Sequence, residues 1–94
     1  MAVWQMLASG VIPGSQSLKE KRMVLKSVKD RVRNRFNVAV SELDYQDKWQ
    51  KTLLGFVTLG PSSKYCGQTL DHIERMLDED GRLLINRIKR EELA

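Results

Sequence analysis

His72 and Cys66 are the side chains of this sequence best suited to nucleophilic or acid–base chemistry, and neither has the company such chemistry needs. A catalytic histidine acts on a nucleophile within hydrogen-bond reach, whereas His72 lies between Asp71 and Ile73 with no such group near it in sequence. Cys66 falls in step with Leu70, Ile73 and Leu77 at helical spacing, which marks it as a core residue with an inert thiol. Glu42, Asp44 and Asp47 gather acids that could offer oxygen ligands to a hard cation. Turn formation and salt bridging account for the same three residues, so no metal is assigned. The run Gly14-Ser15-Gln16-Ser17 meets a helix start, where free N–H groups and the helix dipole can hold a phosphate, although every capped helix has these parts. No catalytic residue, metal or cofactor follows, and the chain reads as a binding protein rather than an enzyme.

Charge is more informative. From Leu18 to Phe36 eight cations face two acids, Glu20 and Asp30, a net of +6 in a chain whose total is +4. At 100° per residue Lys19, Arg22, Lys26, Lys29 and Arg33 return to one flank of a helix, because steps of three and four keep to one side. Lys21 and Arg35 extend this basic surface. Such a stripe can follow the phosphates of a nucleic acid and bind by releasing their counterions. The plainer alternative is a solvated flank whose long side chains cover the edge of the core.

The elements that would position this stripe follow from periodicity and punctuation. Ala2 to Ile12 reads as a strand, with Trp4, Met6 and Ala8 on one face and Val3, Leu7 and Val11 on the other. Pro13 and Gly14 break it, and Ser17 with Glu20 has capping-box spacing, so a helix begins at Leu18. Leu18, Leu25, Val28, Val32 and Phe36 form its apolar face. Val38 to Leu43 predicts a second strand, Asp44 to Lys48 a turn, and Trp49 to Leu59 a third strand that pairs with the second as a hairpin. Gly60 to Ser63 leads into a second helix that runs to about Asp80, Gly81 ends it, and Arg82 to Lys89 alternates as a fourth strand.

Strand, helix, strand, strand, helix, strand is the α+β, ferredoxin-like βαββαβ order: a four-stranded antiparallel sheet with both helices on one face. The 94 residues make one domain, spanning 1–94, with no room for a second core. The other sheet face is open and apolar, which predicts a homodimer or a protein partner there. Acylphosphatases share this topology, but their glycine-valine loop ending in a catalytic arginine is not present here. A lone cysteine points to a reducing interior, and Met1 to Pro13 lacks the pattern of a secretory leader, so a cytoplasmic protein without membrane contact is expected. The aromatic residues lack the closely spaced pair on adjacent strands with which RNA-recognition motifs stack bases. Most read as core, and Trp49, among Lys48, Gln50 and Lys51, reads as exposed.

The run Ile12-Pro13-Gly14-Ser15-Gln16-Ser17-Leu18-Lys19-Glu20-Lys21-Arg22 resembles the YlxP-like family of small bacterial proteins of unknown function. Arg35-Phe36-Asn37-Val38-Ala39-Val40-Ser41-Glu42 and Gln46-Asp47-Lys48-Trp49-Gln50 carry the resemblance on, so that it covers nearly the whole chain. It implies a ferredoxin-like fold and a bacterial origin, and no activity. Members of that family are often encoded beside translation-initiation and ribosome-maturation factors, which tilts the basic helix toward structured RNA or the ribosome. The leading expectation is an RNA- or ribosome-associated binding protein that uses Lys19, Lys21, Arg22, Lys26, Lys29, Arg33 and Arg35. The alternative is a homodimeric interaction or regulatory module with no nucleic-acid role. An enzyme acting on phosphorylated or acyl-phosphate substrates rests on topology and the Gly14–Ser17 loop alone.

Overall fold

The computed structural model describes all 94 residues. The elements run β1 (Ala2–Val11), α1 (Leu18–Arg35), β2 (Ala39–Asp44), β3 (Lys51–Gly60), α2 (Ser63–Glu79) and β4 (Leu84–Glu92). The sheet order is β2-β3-β1-β4, with every neighbouring pair antiparallel. This is the ferredoxin-like βαββαβ arrangement, in which each strand–helix–strand unit leaves a gap that a strand of the other unit fills.

Local chemistry explains the helix ends. The Glu20 N–H donates to Ser17 Oγ at 3.1 Å, and the Tyr65 N–H donates to Ser62 Oγ at 3.1 Å, so each helix starts on a serine cap. The Glu20 carboxylate reaches back past the cap residue and accepts from the Gln16 N–H at 2.6 Å, a capping box lengthened by one residue. Neither α1 nor α2 contains proline, and α1 contains no glycine, so both run four turns or more without a break.

The core lies between the helices and one sheet face. Met6, Ala8 and Ile12 from the first strand and its exit meet Leu54 and Phe56 of β3, Leu25, Val28 and Val32 of α1, and Leu70, Ile73 and Leu77 of α2, all buried. Cys66 is fully buried on the same stripe. Burial of these apolar side chains, at about 25 cal/mol per Å² removed from water, is the main force holding the layers together.

Two irregularities interrupt the strand pairing, and one of them moves a residue from its expected face. The register of β1 against β4 shifts between Ser9 and Gly10, because Gly10 faces Ile85 while Ser9 faces Arg87. Ile88 therefore shares the core side with Leu83 and Ile85 rather than opposing them, and Leu84 alone is left exposed. A second shift between Glu42 and Asp44 leaves Leu43 unpaired, on the open face with Ala39 and Ser41 where alternation from Val40 puts it, against Gly55. Trp49 and Gln50 belong to the hairpin loop, since β3 begins only at Lys51.

Candidate nucleic-acid interface

α1 lays Leu25, Val28 and Val32 on the sheet, and its flanks diverge in chemistry. On one flank Arg31 crosses to Asp80 at the end of α2, with Nη2 2.6 Å from Oδ2. Arg82 grips the same carboxyl at 2.8 Å, so Asp80 clips α1 to the turn before β4. The Arg82 hydrogen bond, with Arg31 alongside, holds the Asp80 carboxyl down to about 2 from the usual 3.8.

The opposite flank carries the stripe and faces the β2 edge, as shown by Arg33, whose Nη2 donates to Val40 O at 3.0 Å. Lys19, Arg22, Lys26 and Arg33 are exposed and Lys29 is half-buried. Asp30 sits within this stripe: Lys26 Nζ lies 2.7 Å from it and Arg33 Nη1 3.6 Å. The Lys26 hydrogen bond lowers the Asp30 pKa, so the carboxylate stays charged at neutral pH. Lys19, Arg22 and Lys29 form no ion pair, and Lys19 and Arg22 present their charge to solvent.

Two of the seven residues expected in the stripe belong elsewhere. Lys21 is only 1% exposed. Its ammonium donates to Tyr45 O and pairs with Glu42 Oε2 at 2.9 Å, while Thr52 Oγ1 donates to the same Glu42 oxygen at 2.6 Å. A lysine so enclosed cannot touch a phosphate backbone; it fastens the β2–β3 hairpin to the first turn of α1. The warning lay in the spacing, because Lys21 fills the gap between Leu18 and Leu25 on the apolar face. Arg35 leaves the stripe as well. Its guanidinium lies 5.5 Å from the Phe36 ring centroid, and it lines a small hollow with His72 and Arg75 on the side of α2.

The remaining candidates resolve into structural roles. Glu42 turns inward to Lys21, and Asp44 Oδ1 accepts the N–H of Tyr45 at 2.7 Å, so the hairpin acids diverge, and no three metal-ligating side chains come together. The N–H groups of Gln16 and Glu20, which a phosphate would need at the Gly14–Ser17 loop, are taken by Glu20 and Ser17 side chains. His72 is exposed and stacks on Phe36 with ring centroids 6.2 Å apart, on a different face of α2 from buried Cys66. Sequence reasoning missed the role of the hairpin loop as a firmly held platform. Tyr45 adopts a left-handed φ of 65°, unusual for a bulky residue, and its carbonyl then accepts from both Lys21 Nζ and the Lys48 N–H.

Fold and surface together define a small α+β protein with one cationic helix flank beside a sheet edge. Residues 6–90 match a family model described as a protein of unknown function (DUF503). The uncharacterized protein YlxP of Bacillus subtilis (strain 168) is 41% identical over 68 residues, which cover 72% of this chain and 74% of that relative. The chain belongs to this YlxP-like family. No helix is long and apolar enough to cross a membrane.

Proposed function

We propose that this protein is an RNA- or ribosome-associated binding protein whose contact surface is the outer flank of α1. The observation that carries the reading is the unpaired state of Lys19, Arg22 and Lys29 on one flank, in a helix where Lys21, Lys26, Arg31 and Arg33 are neutralised by Glu42, Asp80 or Asp30. From Lys19 to Arg33 the flank is about 21 Å long at 1.5 Å per residue, long enough to meet several successive phosphates of a nucleic-acid backbone. Phosphate contacts of this kind position a protein on RNA without choosing its sequence.

The test is a salt titration of binding to ribosomal RNA and to a short RNA duplex, comparing wild type with Arg22→Glu/Lys26→Glu/Lys29→Glu. Support is a log-log slope that loses about 0.7 to 0.9 per phosphate contact removed. Binding that ignores salt, or that survives the triple reversal in a folded variant, would overturn the reading.

A second reading is favoured by the open sheet face. Leu43, Val57, Leu59 and Leu84 are exposed there, with Leu7 and Leu53 half-buried beside them. Strands of 10, 10, 9 and 6 residues give this face about 550 Å² per copy at about 3.3 Å per residue and about 4.8 Å between strands, and two such faces bury about 1,100 Å², the size of a weak, concentration-dependent interface. A second copy of the chain is the fitting occupant. Sedimentation equilibrium of wild type and Val57→Lys/Leu59→Lys tests it: a dimer that the double variant splits supports this role, and a wild-type monomer at high concentration sinks it.

A further inference from the structure

We infer that Trp49 is a stacking position for an unpaired base of the RNA that the α1 flank holds by its phosphates, an inference that rests on the RNA-binding reading. The two tryptophans differ sharply. Trp4 is half-buried against the core with its indole N–H out of reach of solvent, whereas Trp49 is 53% exposed at the hairpin loop. Exposed loop tryptophans are usually mobile, but the backbone on both sides of Trp49 is tied down. The Ile12 N–H donates to Gln50 O at 2.9 Å, and the Lys48 N–H donates to Tyr45 O at 2.9 Å. Gln50 Nε2 adds bonds to Pro13 O at 3.3 Å and Ser15 O at 3.0 Å. The buried Lys21 ammonium anchors Tyr45 from beneath.

With the backbone held in this way, only the two side-chain torsions of Trp49 are left to be fixed when a base stacks on its ring, which is the advantage of a preformed platform. The surroundings suit a nucleotide. Trp49 opens onto a shallow depression of about 800 Å³ that it shares with Val11, Pro13, Asp47, Lys48, Gln50 and Lys51, so two cations there stand against one acid. Val11 and Pro13 offer apolar surface to a base, and Lys48 and Lys51 offer charge to the flanking phosphates. Gln50 spends its amide N–H groups on the Pro13 and Ser15 carbonyls, which leaves Oε1 as an acceptor for a base edge.

Placement joins the two surfaces. Because Lys21 fastens the hairpin to the first turn of α1, Trp49 stands at the end of the helix where Lys19 and Arg22 begin the stripe. An RNA strand following the stripe toward that end meets an exposed aromatic ring, and an aromatic ring accepts a base only where the base is unpaired. The expected ligand is therefore a loop, bulge or strand end of structured RNA rather than an uninterrupted duplex.

The experiment compares an RNA hairpin bearing an unpaired loop with a blunt RNA duplex of equal phosphate number. Wild type, Trp49→Phe and Trp49→Ala are titrated with each, reading affinity and tryptophan emission, and thermal melts confirm that each variant is folded. Trp49→Phe leaves Trp4 as the emission baseline. The expected result is quenching by the looped RNA only, with affinity for it falling about 5- to 100-fold in Trp49→Ala, largely kept in Trp49→Phe, and duplex binding unchanged. Equal, salt-sensitive binding of both RNAs without quenching would overturn the stacking role and leave the helix stripe standing. Equal loss on both RNAs in Trp49→Ala would reduce Trp49 to a scaffold residue, and no binding of either RNA would remove both proposals.

Discussion

Lys21 Nζ lies 2.9 Å from Glu42 Oε2, a charge pair enclosed between α1 and β2 in which the lysine side chain is 1% exposed and the glutamate 14%. Removing one partner strands the other in a poorly hydrated site. Lys21→Met is expected to lower unfolding free energy by about 3 to 5 kcal/mol, and Lys21→Met/Glu42→Gln to recover a good part of that loss. Urea denaturation of both variants checks this. A single substitution with a cost below about 1 kcal/mol would show that the pair is not closed to water.

Asp80 couples stability to acid. Its folded pKa of about 2 lies below the usual 3.8, so as pH falls the unfolded chain takes up the proton first and unfolding is favoured. The carboxylate contributes about 2 kcal/mol above pH 4, and this is lost between about pH 4 and pH 2. Stability curves of Asp80→Asn should lie lower than wild type at neutral pH and converge with it toward pH 2.

Asp30 moderates the basic flank by holding Lys26 and Arg33. Asp30→Asn frees both cations, so RNA affinity should rise and the salt slope steepen by about 1 to 2. Lys19→Ala, Arg22→Ala and Lys29→Ala should each flatten it, and Lys21→Met, if folded, should leave it unchanged. Filter binding across a salt series reads all five.

Glycines separate by what surrounds them. A Cβ on Gly10 would stand 2.8 Å from the Leu84 carbonyl oxygen, a backbone atom that cannot swing aside. Gly10→Ala should cost about 1 to 3 kcal/mol. Gly67, inside α2, meets nothing within 4 Å, and Gly67→Ala should stabilise by about 0.5 to 1 kcal/mol. Thermal melts of the pair give opposite shifts if this account holds.

The element order, the Ser17 cap and the α2 stripe of Cys66, Leu70, Ile73 and Leu77 were legible because each depends on local spacing. The candidate site was legible only in part. Lys21 and Arg22 are adjacent cations with opposite fates: helical spacing sets Lys21 on the apolar face, and the Glu42 carboxylate that pairs with it there comes from β2, distant in sequence. Arg35, the last residue of α1, lies about 200° around the helix from Arg33, so helical spacing already set it off the stripe. Ile88 changed faces because it follows a register shift, and alternation alone carries no record of a residue left unpaired. The hairpin platform under Trp49 depends on Gln50 reaching Pro13 and Ser15, again a contact between remote segments.

The central position of β1 bears on how the chain is made. The first strand to leave the ribosome lies between β3 and β4, so one of its edges has no partner until the last strand has been synthesised. Through most of translation β1, with apolar residues on both faces, exposes a row of free N–H and C=O groups able to recruit a neighbouring nascent chain. Truncations that remove β4 should therefore aggregate rather than leave a smaller folded protein, and slow elongation between β3 and β4 would lengthen the period of risk.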